Sequence, residues 1–246
     1  MRAVEGLLID LDGTVYQGEE LIQGSAAAVR RLREEGVPFV FTTNTSRMSR
    51  ADITEALSSL GFPVESDEVF SAPVAAAQWL RDEGVRRIHL LVSESTFADF
   101  SDFEITTAGP EAVLVGDLGP GFTFERLDGA FRSLRDGARL VAIHRNRFWL
   151  TARGPTLDAG PFVAALEYAS RKVATLVGKP APAFFDAASS LLGVARDRLA
   201  VVGDDLETDV RGGRAAGLTT IQVRTGKFDA ALLRDAPPDH RPHHLV

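Results

Sequence analysis

The chain contains no cysteine. Disulfides, thiolate nucleophiles and cysteine-bound zinc are excluded, and a reducing compartment fits. A basic excess is also missing: 27 Lys and Arg stand against 34 Asp and Glu, a formal net charge of −7. Non-specific binding to nucleic acid or to an anionic membrane needs the opposite balance. No apolar run approaches the roughly 18–20 residues of a membrane span. The opening Met1-Arg2-Ala3-Val4-Glu5-Gly6 holds no secretory apolar segment and no small-residue cleavage site. These absences lead to the expectation of a cytoplasmic protein with neither nucleic acid nor membrane as partner. Repeats and low-complexity tracts are lacking too. What remains is ordinary globular composition, 45% apolar and 25% charged, over 246 residues. That length suffices for one large domain or two small ones.

Short uninterrupted apolar runs alternate with helical patterns. Gly6–Ile9, Val37–Phe41 and Leu199–Val202 read as strands buried on both faces. Ser25 is placed to cap a helix that stops at Gly36, Ser49 and Asp52 look like a capping box, and Pro73 suits a first helical turn. The resulting β–α alternation predicts an α/β fold, a doubly wound parallel sheet in three layers. The middle is less regular. Apolar runs at Ile88–Val92, Ala112–Val115, Leu140–Ile143 and Phe148–Leu150 surround a helix near Phe124–Arg135, and Gly-Pro pairs punctuate them. Alternation resumes with a strand at Val173–Val177 and a helix at Pro182–Leu192. We therefore expect a core of residues 1–84 and 174–246 with an inserted α/β domain of residues 85–173. Pro237–Val246 reads as a tail or the start of a last element.

Polar clusters follow four of these strands, and open α/β sheets bind ligands at strand carboxyl ends. Asp10-Leu11-Asp12-Gly13-Thr14 places one carboxylate at a strand tip and a second two positions on. The first can attack phosphorus; the second can protonate a leaving oxygen and then activate water. A turn with a locally capping Asp has the same pattern. Thr43-Asn44 offers phosphate ligands or an ordinary Ser/Thr turn. Gly178-Lys179-Pro180 supplies one cation, or simply a surface lysine. Gly203-Asp204-Asp205-Leu206-Glu207-Thr208-Asp209 is too acidic for helix capping alone. Should its strand lie beside the first, Asp10, Asp12 and Asp204 converge, and a hard divalent ion such as Mg²⁺ would relieve their repulsion.

In this order the four clusters resemble those of the haloacid dehalogenase superfamily, over essentially the whole chain. Gly160–Ala169, Val177–Pro180 and Arg224–Lys227 look like its NagD-like subfamily, whose larger C2-type cap is inserted between the Thr and Lys motifs. The resemblance implies a Rossmann-like core with an inserted α/β cap, and a Mg²⁺-dependent phosphatase acting on a small phosphorylated metabolite. Asp10 would be the nucleophile, Asp12 the general acid/base, Thr43 a phosphate-binding hydroxyl beside Asn44, and Lys179 the neutralising cation. Asp204 would hold Mg²⁺ with the Asp10 carboxylate and the Asp12 carbonyl oxygen, with Asp205 and Asp209 near the metal. Relatives often have T-N-N where this chain has Thr43-Asn44-Thr45. In the cap, His144, Arg145, Asn146 and Arg147 are the candidates for a second anionic group of the substrate, with Phe148 or Trp149 to stack; a solvated basic turn is the alternative. His89 reads as structural, and His240, His243 and His244 fall in the tail. The resemblance also admits a homodimer through the cap. A receiver-like module holding its phosphate, or a catalytically silent phosphate-binding relative, is the competing class; a receiver is shorter and carries its acidic pair adjacently.

Overall fold

The structure is a computed structural model that describes residues 4–151 and 154–246, with the backbone alone at residues 150 and 151. Met1–Ala3, where the N-terminal stretch begins, lie outside the described residues. By its internal contacts the chain divides into two units. The first comprises Met1–Thr43, Ala51–Ser71 and Lys179–Val246; the second comprises Asn44–Arg50 and Ala72–Gly178.

The first unit is built on a six-stranded sheet. Its order is His244–Leu245, Thr219–Gln222, Leu199–Gly203, Gly6–Asp10, Phe39–Thr43, Val69–Ser71. Every neighbouring pair is parallel. The chain starts in the middle at Gly6–Asp10, moves outward through Phe39–Thr43 and Val69–Ser71, and later returns on the other side with Leu199–Gly203. This reversal is a topological switch point, where an α/β sheet opens a crevice at its strand carboxyl ends. Register brings the motifs together there: Ile9 pairs with Val202, and Asp10 with Thr42. Helices Ser25–Glu34 and Pro182–Leu192 belong to this unit. Leu8, Phe41, Phe184 and Phe185 are fully buried, with Phe70 and Phe184 ring centroids 5.2 Å apart. Strands covered on both faces need apolar residues at successive positions, which is why Leu8-Ile9 and Val40-Phe41 show no alternation.

The second unit has its own five-stranded parallel sheet, ordered Thr175–Leu176, Arg139–Ala142, Ala112–Val115, Arg87–Leu91, Glu104–Ile105. Helices Ala72–Asp82, Phe124–Arg135 and Ala159–Ser170 accompany it, with an antiparallel hairpin of Phe148–Thr151 and Gly154–Leu157. Leu91, Val113, Leu134, Leu140 and Val163 form its core.

Several details differ from the sequence expectations. The strand expected at Val173–Val177 shrinks to Thr175–Leu176 and pairs with Val141 and Ala142. Its hydrogen bonds make it part of the second unit's sheet, so Lys179 does not follow a strand of the first. Helix Ala72–Asp82 feeds directly into Arg87–Leu91 and packs against Glu94–Phe100, so it also groups with the second unit. By contacts the division therefore falls at 43/44, 50/51, 71/72 and 178/179. Helix Ser25–Glu34 starts at Ser25 itself, with Gly24 in the cap position at φ 90°. The helix expected near Thr208–Ala216 opens with a wide turn, Leu206–Val210, in which Val210 N donates to Asp205 O, and continues as Arg211–Ala215. The chain end supplies an edge strand, His244–Leu245. Among the described residues no helix is long and apolar enough to cross a membrane.

Candidate active site

Asp10 is the last residue of the central strand and is 5% exposed. Its Oδ1 accepts from Lys179 Nζ, and its Oδ2 takes a long bond from Thr14 Oγ1, 3.3 Å. Lys179, fully enclosed, also donates to Asp209 Oδ1 at 2.6 Å. Asp204 lies one residue past the adjacent strand Leu199–Gly203 and is buried. Carboxylate oxygens of Asp10, Asp204 and Asp209 lie within 4.8 Å of one another. Asp12 is exposed beside them, on a turn that Gly13 makes at φ +85°; Gly13 N donates to Tyr16 O at 2.7 Å. Only glycine enters that conformation without strain. Thr43 ends strand Phe39–Thr43 and is buried, so its hydroxyl and Asp10 belong to the carboxyl ends of neighbouring strands. Asn44, the next residue, groups with the second unit.

Three buried carboxylates around one buried ammonium leave an excess of negative charge. Burial, only partly opposed by Lys179 and reinforced by Asp204, pushes the Asp10 carboxyl up to about 6. Burial and Asp209 push Asp204 up to about 7, and burial with Asp10 does the same to Asp209. Asp12 is raised as well, chiefly by the protein crowding one side of it, with Lys227 and Lys179 opposing. Burial works against the Lys179 ammonium, but Asp10 and Asp209 outweigh it and hold the charge firmly on. Removing Lys179 would strand buried anions, at a cost of about 3–5 kcal/mol.

The donor set fits a hard divalent cation. Asp209 has both oxygens engaged, Oδ1 by Lys179 and Oδ2 by Asp205 N at 3.2 Å. Asp204 has Oδ2 held by Lys227 N at 2.6 Å. Of these three acids, Asp204 Oδ1 and the weakly bonded Asp10 Oδ2 are then the oxygens left for an ion among the described residues. Oxygen donors of this charge and small number suit Mg²⁺, which keeps waters and shares substrate phosphate. Asp205 is engaged elsewhere. Its carboxylate caps the following turn through Glu207 N and Thr208 N, and meets Lys227 Nζ at 3.1 Å.

The residues expected to read the substrate in the second unit are otherwise occupied in part. His144 is not a solvent-facing group: it is 2% exposed, with Nε2 2.8 Å from Ser46 Oγ. It lies two residues past the strand Arg139–Ala142, after the buried Ile143, and its ring is buried with that segment. Arg145 is spent on a bidentate pair with Glu167, at 2.9 and 2.7 Å. Asn146 is half-buried and Arg147 exposed. Phe148 is exposed; Trp149 instead stacks under the Arg47 guanidinium, 4.0 Å from the ring centroid. His89 is buried near Ser133, as a structural residue would be. His243 accepts from Thr220 N through Nδ1 and has Arg214 on Nε2, so it ties the last strand down.

Two groups at the first site were not assigned from sequence. Thr14 contributes its hydroxyl to Asp10. Thr225-Gly226-Lys227, just past strand Thr219–Gln222, bonds both Gly13 and Asp204. The carboxyl-end rule applied to Asp10 and Asp204 would have pointed to this loop as well.

The chain is similar to known proteins over nearly its whole length. Residues 7–106 match the family model of haloacid dehalogenase-like hydrolases, and residues 176–246 match a second model of that kind. Haloacid dehalogenase-like hydrolase domain-containing protein 2 of Bos taurus is 40% identical over 230 residues, 94% of this chain and 88% of the relative. Human phospholysine phosphohistidine inorganic pyrophosphate phosphatase is 36% identical over 234 residues, 93% of this chain and 86% of that one. Among solved structures, 4-nitrophenylphosphatase from Thermotoga maritima superposes with a TM-score of 0.92 at 32% identity, covering 99% of this chain and 94% of the other. A glycerol phosphate phosphatase from Mycobacterium tuberculosis, solved with magnesium, gives 0.90 at 30%, covering 99% and 74%. NagD from E. coli K-12 shares the fold, with a TM-score of 0.90 at 24% identity, covering 99% and 96%. The chain belongs to the haloacid dehalogenase-like hydrolases, in their NagD-like branch of phosphatases.

Proposed function

We propose that the chain hydrolyses small phosphorylated metabolites, with Mg²⁺ as its metal and a phosphorylated Asp10 as intermediate. The observation that carries this reading is the meeting of Asp10, Asp204 and Asp209 around Lys179, with Asp12 two residues beyond the nucleophile. Asp10 attacks phosphorus in line with the leaving oxygen. As the Asp10 oxygen–phosphorus bond forms, the bond to the leaving group breaks, and Asp12 gives its proton to the departing oxygen. Asp12 then takes a proton from water as that water attacks phosphorus, releasing the Asp10 carboxylate and inorganic phosphate. A carboxyl raised above its ordinary range, as at Asp12, suits an acid that must hold a proton and later accept one. Lys179 keeps Asp10 oriented and offsets its charge, and Thr43 is assigned to a phosphoryl oxygen. A divalent ion held by Asp10, Asp204 and the Asp12 carbonyl oxygen would supply positive charge between an anionic nucleophile and an anionic phosphoryl group.

The relatives' names set the substrate panel: 4-nitrophenyl phosphate, glycerol phosphate, phosphohistidine, phospholysine and inorganic pyrophosphate. Turnover of 4-nitrophenyl phosphate should require the metal, stop with EDTA and return with excess Mg²⁺. Stoichiometric labelling of Asp10 without turnover would instead mark a phosphate-holding module. Ranking the panel by kcat/KM then selects the substrate class.

A further inference from the structure

We propose that Thr225-Gly226-Lys227 is a positioning strap, which fixes the Asp12–Gly13 turn and Asp204 relative to each other and so sets metal affinity. The inference rests on the reading that Asp204 and the Asp12 carbonyl hold the ion. Three contacts of the same short loop carry it. Thr225 Oγ1 donates to Gly13 O at 2.5 Å. Lys227 N donates to Asp204 Oδ2 at 2.6 Å. Between them Gly226, at φ +56°, packs so tightly that a Cβ there would collide with the Asp204 carboxylate and with Gly13 Cα.

Each contact fixes something the chemistry needs. Gly13 is held from both sides: its N–H bonds Tyr16 O, and its C=O bonds Thr225. The peptide plane that carries the Asp12 carbonyl is thereby fixed at the Gly13 N–H, and the next plane at the Gly13 C=O. On Asp204, the Lys227 amide occupies one carboxylate oxygen and leaves the other for the cation. Asp204 is also fixed at its backbone, where Gln222 Nε2 donates to Asp204 O at 2.9 Å. The loop is itself a closed turn, Phe228 N donating to Thr225 O at 3.0 Å, and is fastened at its start by Arg224 N to Val246 O, also 3.0 Å. Groups that orient ligands from one bond away commonly change metal affinity by about 10–100-fold when removed.

The test is direct Mn²⁺ binding by electron paramagnetic resonance, on the full chain, for the parent, Thr225→Val, Thr225→Ser and Asp204→Asn. Thr225→Val keeps the shape and loses the donor; Thr225→Ser keeps the donor. The strap predicts about tenfold weaker Mn²⁺ binding in Thr225→Val. Thr225→Ser should lie within about twofold of the parent, and the KM for 4-nitrophenyl phosphate at saturating Mg²⁺ should be nearly unmoved in both. Circular dichroism of Thr225→Val confirms a folded chain, and a misfolded one passes the decision to Thr225→Ala, which also lacks the donor and carries the same expectation. Parent-like binding in Thr225→Val, or equal loss in Thr225→Ser, overturns the strap. Undiminished Mn²⁺ binding in Asp204→Asn overturns the underlying metal reading instead.

Discussion

Both units are parallel α/β sheets, and both put polar side chains just past their strand ends, yet the two sets of groups meet different fates. In the second unit they neutralise one another. Asp117, past strand Ala112–Val115, is paired with Arg47, whose guanidinium also covers Trp149. His144, past strand Arg139–Ala142, meets Ser46 Oγ, and that same hydroxyl accepts from Asp117 N at 2.7 Å. In the first unit Asp10 and Asp209 share one buried lysine with Asp204 close by them, and anionic charge is left over. The architecture is common to both, so what sets the first unit apart is its charge imbalance and not its fold.

That contrast can be broken experimentally. The largest effect is expected at the proposed nucleophile: Asp10→Asn should lower kcat on 4-nitrophenyl phosphate by about 10⁴-fold or more, read by steady-state assay. Next, Asp12→Asn should slow both phosphorylation and dephosphorylation by about 10²–10⁴-fold while Mn²⁺ still binds, read in single-turnover experiments. Unchanged rates there would remove Asp12 from proton transfer. In the second unit, Asp117→Ala should cost about 1–3 kcal/mol in urea unfolding, because Arg47 loses its partner, and should leave Mn²⁺ binding unchanged. Weakened Mn²⁺ binding would mean that the two sets of polar groups are not independent.

The smallest effect concerns pH. Burial lowers the His89 pKa below 6.5. The unfolded chain therefore takes up the proton first, and the contribution of neutral His89 is fully present above about pH 6.5. It is lost as pH falls through the folded-state pKa. His89→Asn should flatten the dependence of Tm on pH between neutrality and about pH 5 relative to the parent.

The strands and the acidic clusters that follow them were legible because they are local patterns. Leu7-Leu8-Ile9 and Val201-Val202 announce buried strands, the first followed at once by Asp10 and the second, after Gly203, by Asp204. Pro182–Leu192 and Phe124–Arg135 appear where their Pro and their amphipathic spacing put them. Pairing partners are not local. Nothing in Val173–Val177 tells which sheet will take it, and the choice is made by hydrogen bonds to Val141 and Ala142. The same holds for His144 and Arg145, which look like available polar groups until Ser46 and Glu167 arrive from elsewhere in the chain. Lys179 is the converse case: a lone lysine beside a Gly and a Pro gains meaning only when Asp10 and Asp209 are seen around it.

Glycine leaves little free volume around the acids. A side chain at Gly13 or Gly226 would strike the Asp204 carboxylate, and one at Gly203 would strike Asp209. Main chain, with almost no freedom to adjust, therefore forms the wall on which these acids rest. The positions of these two carboxylates are thus set by backbone that comes close enough to leave no room for a methyl group at those three glycines.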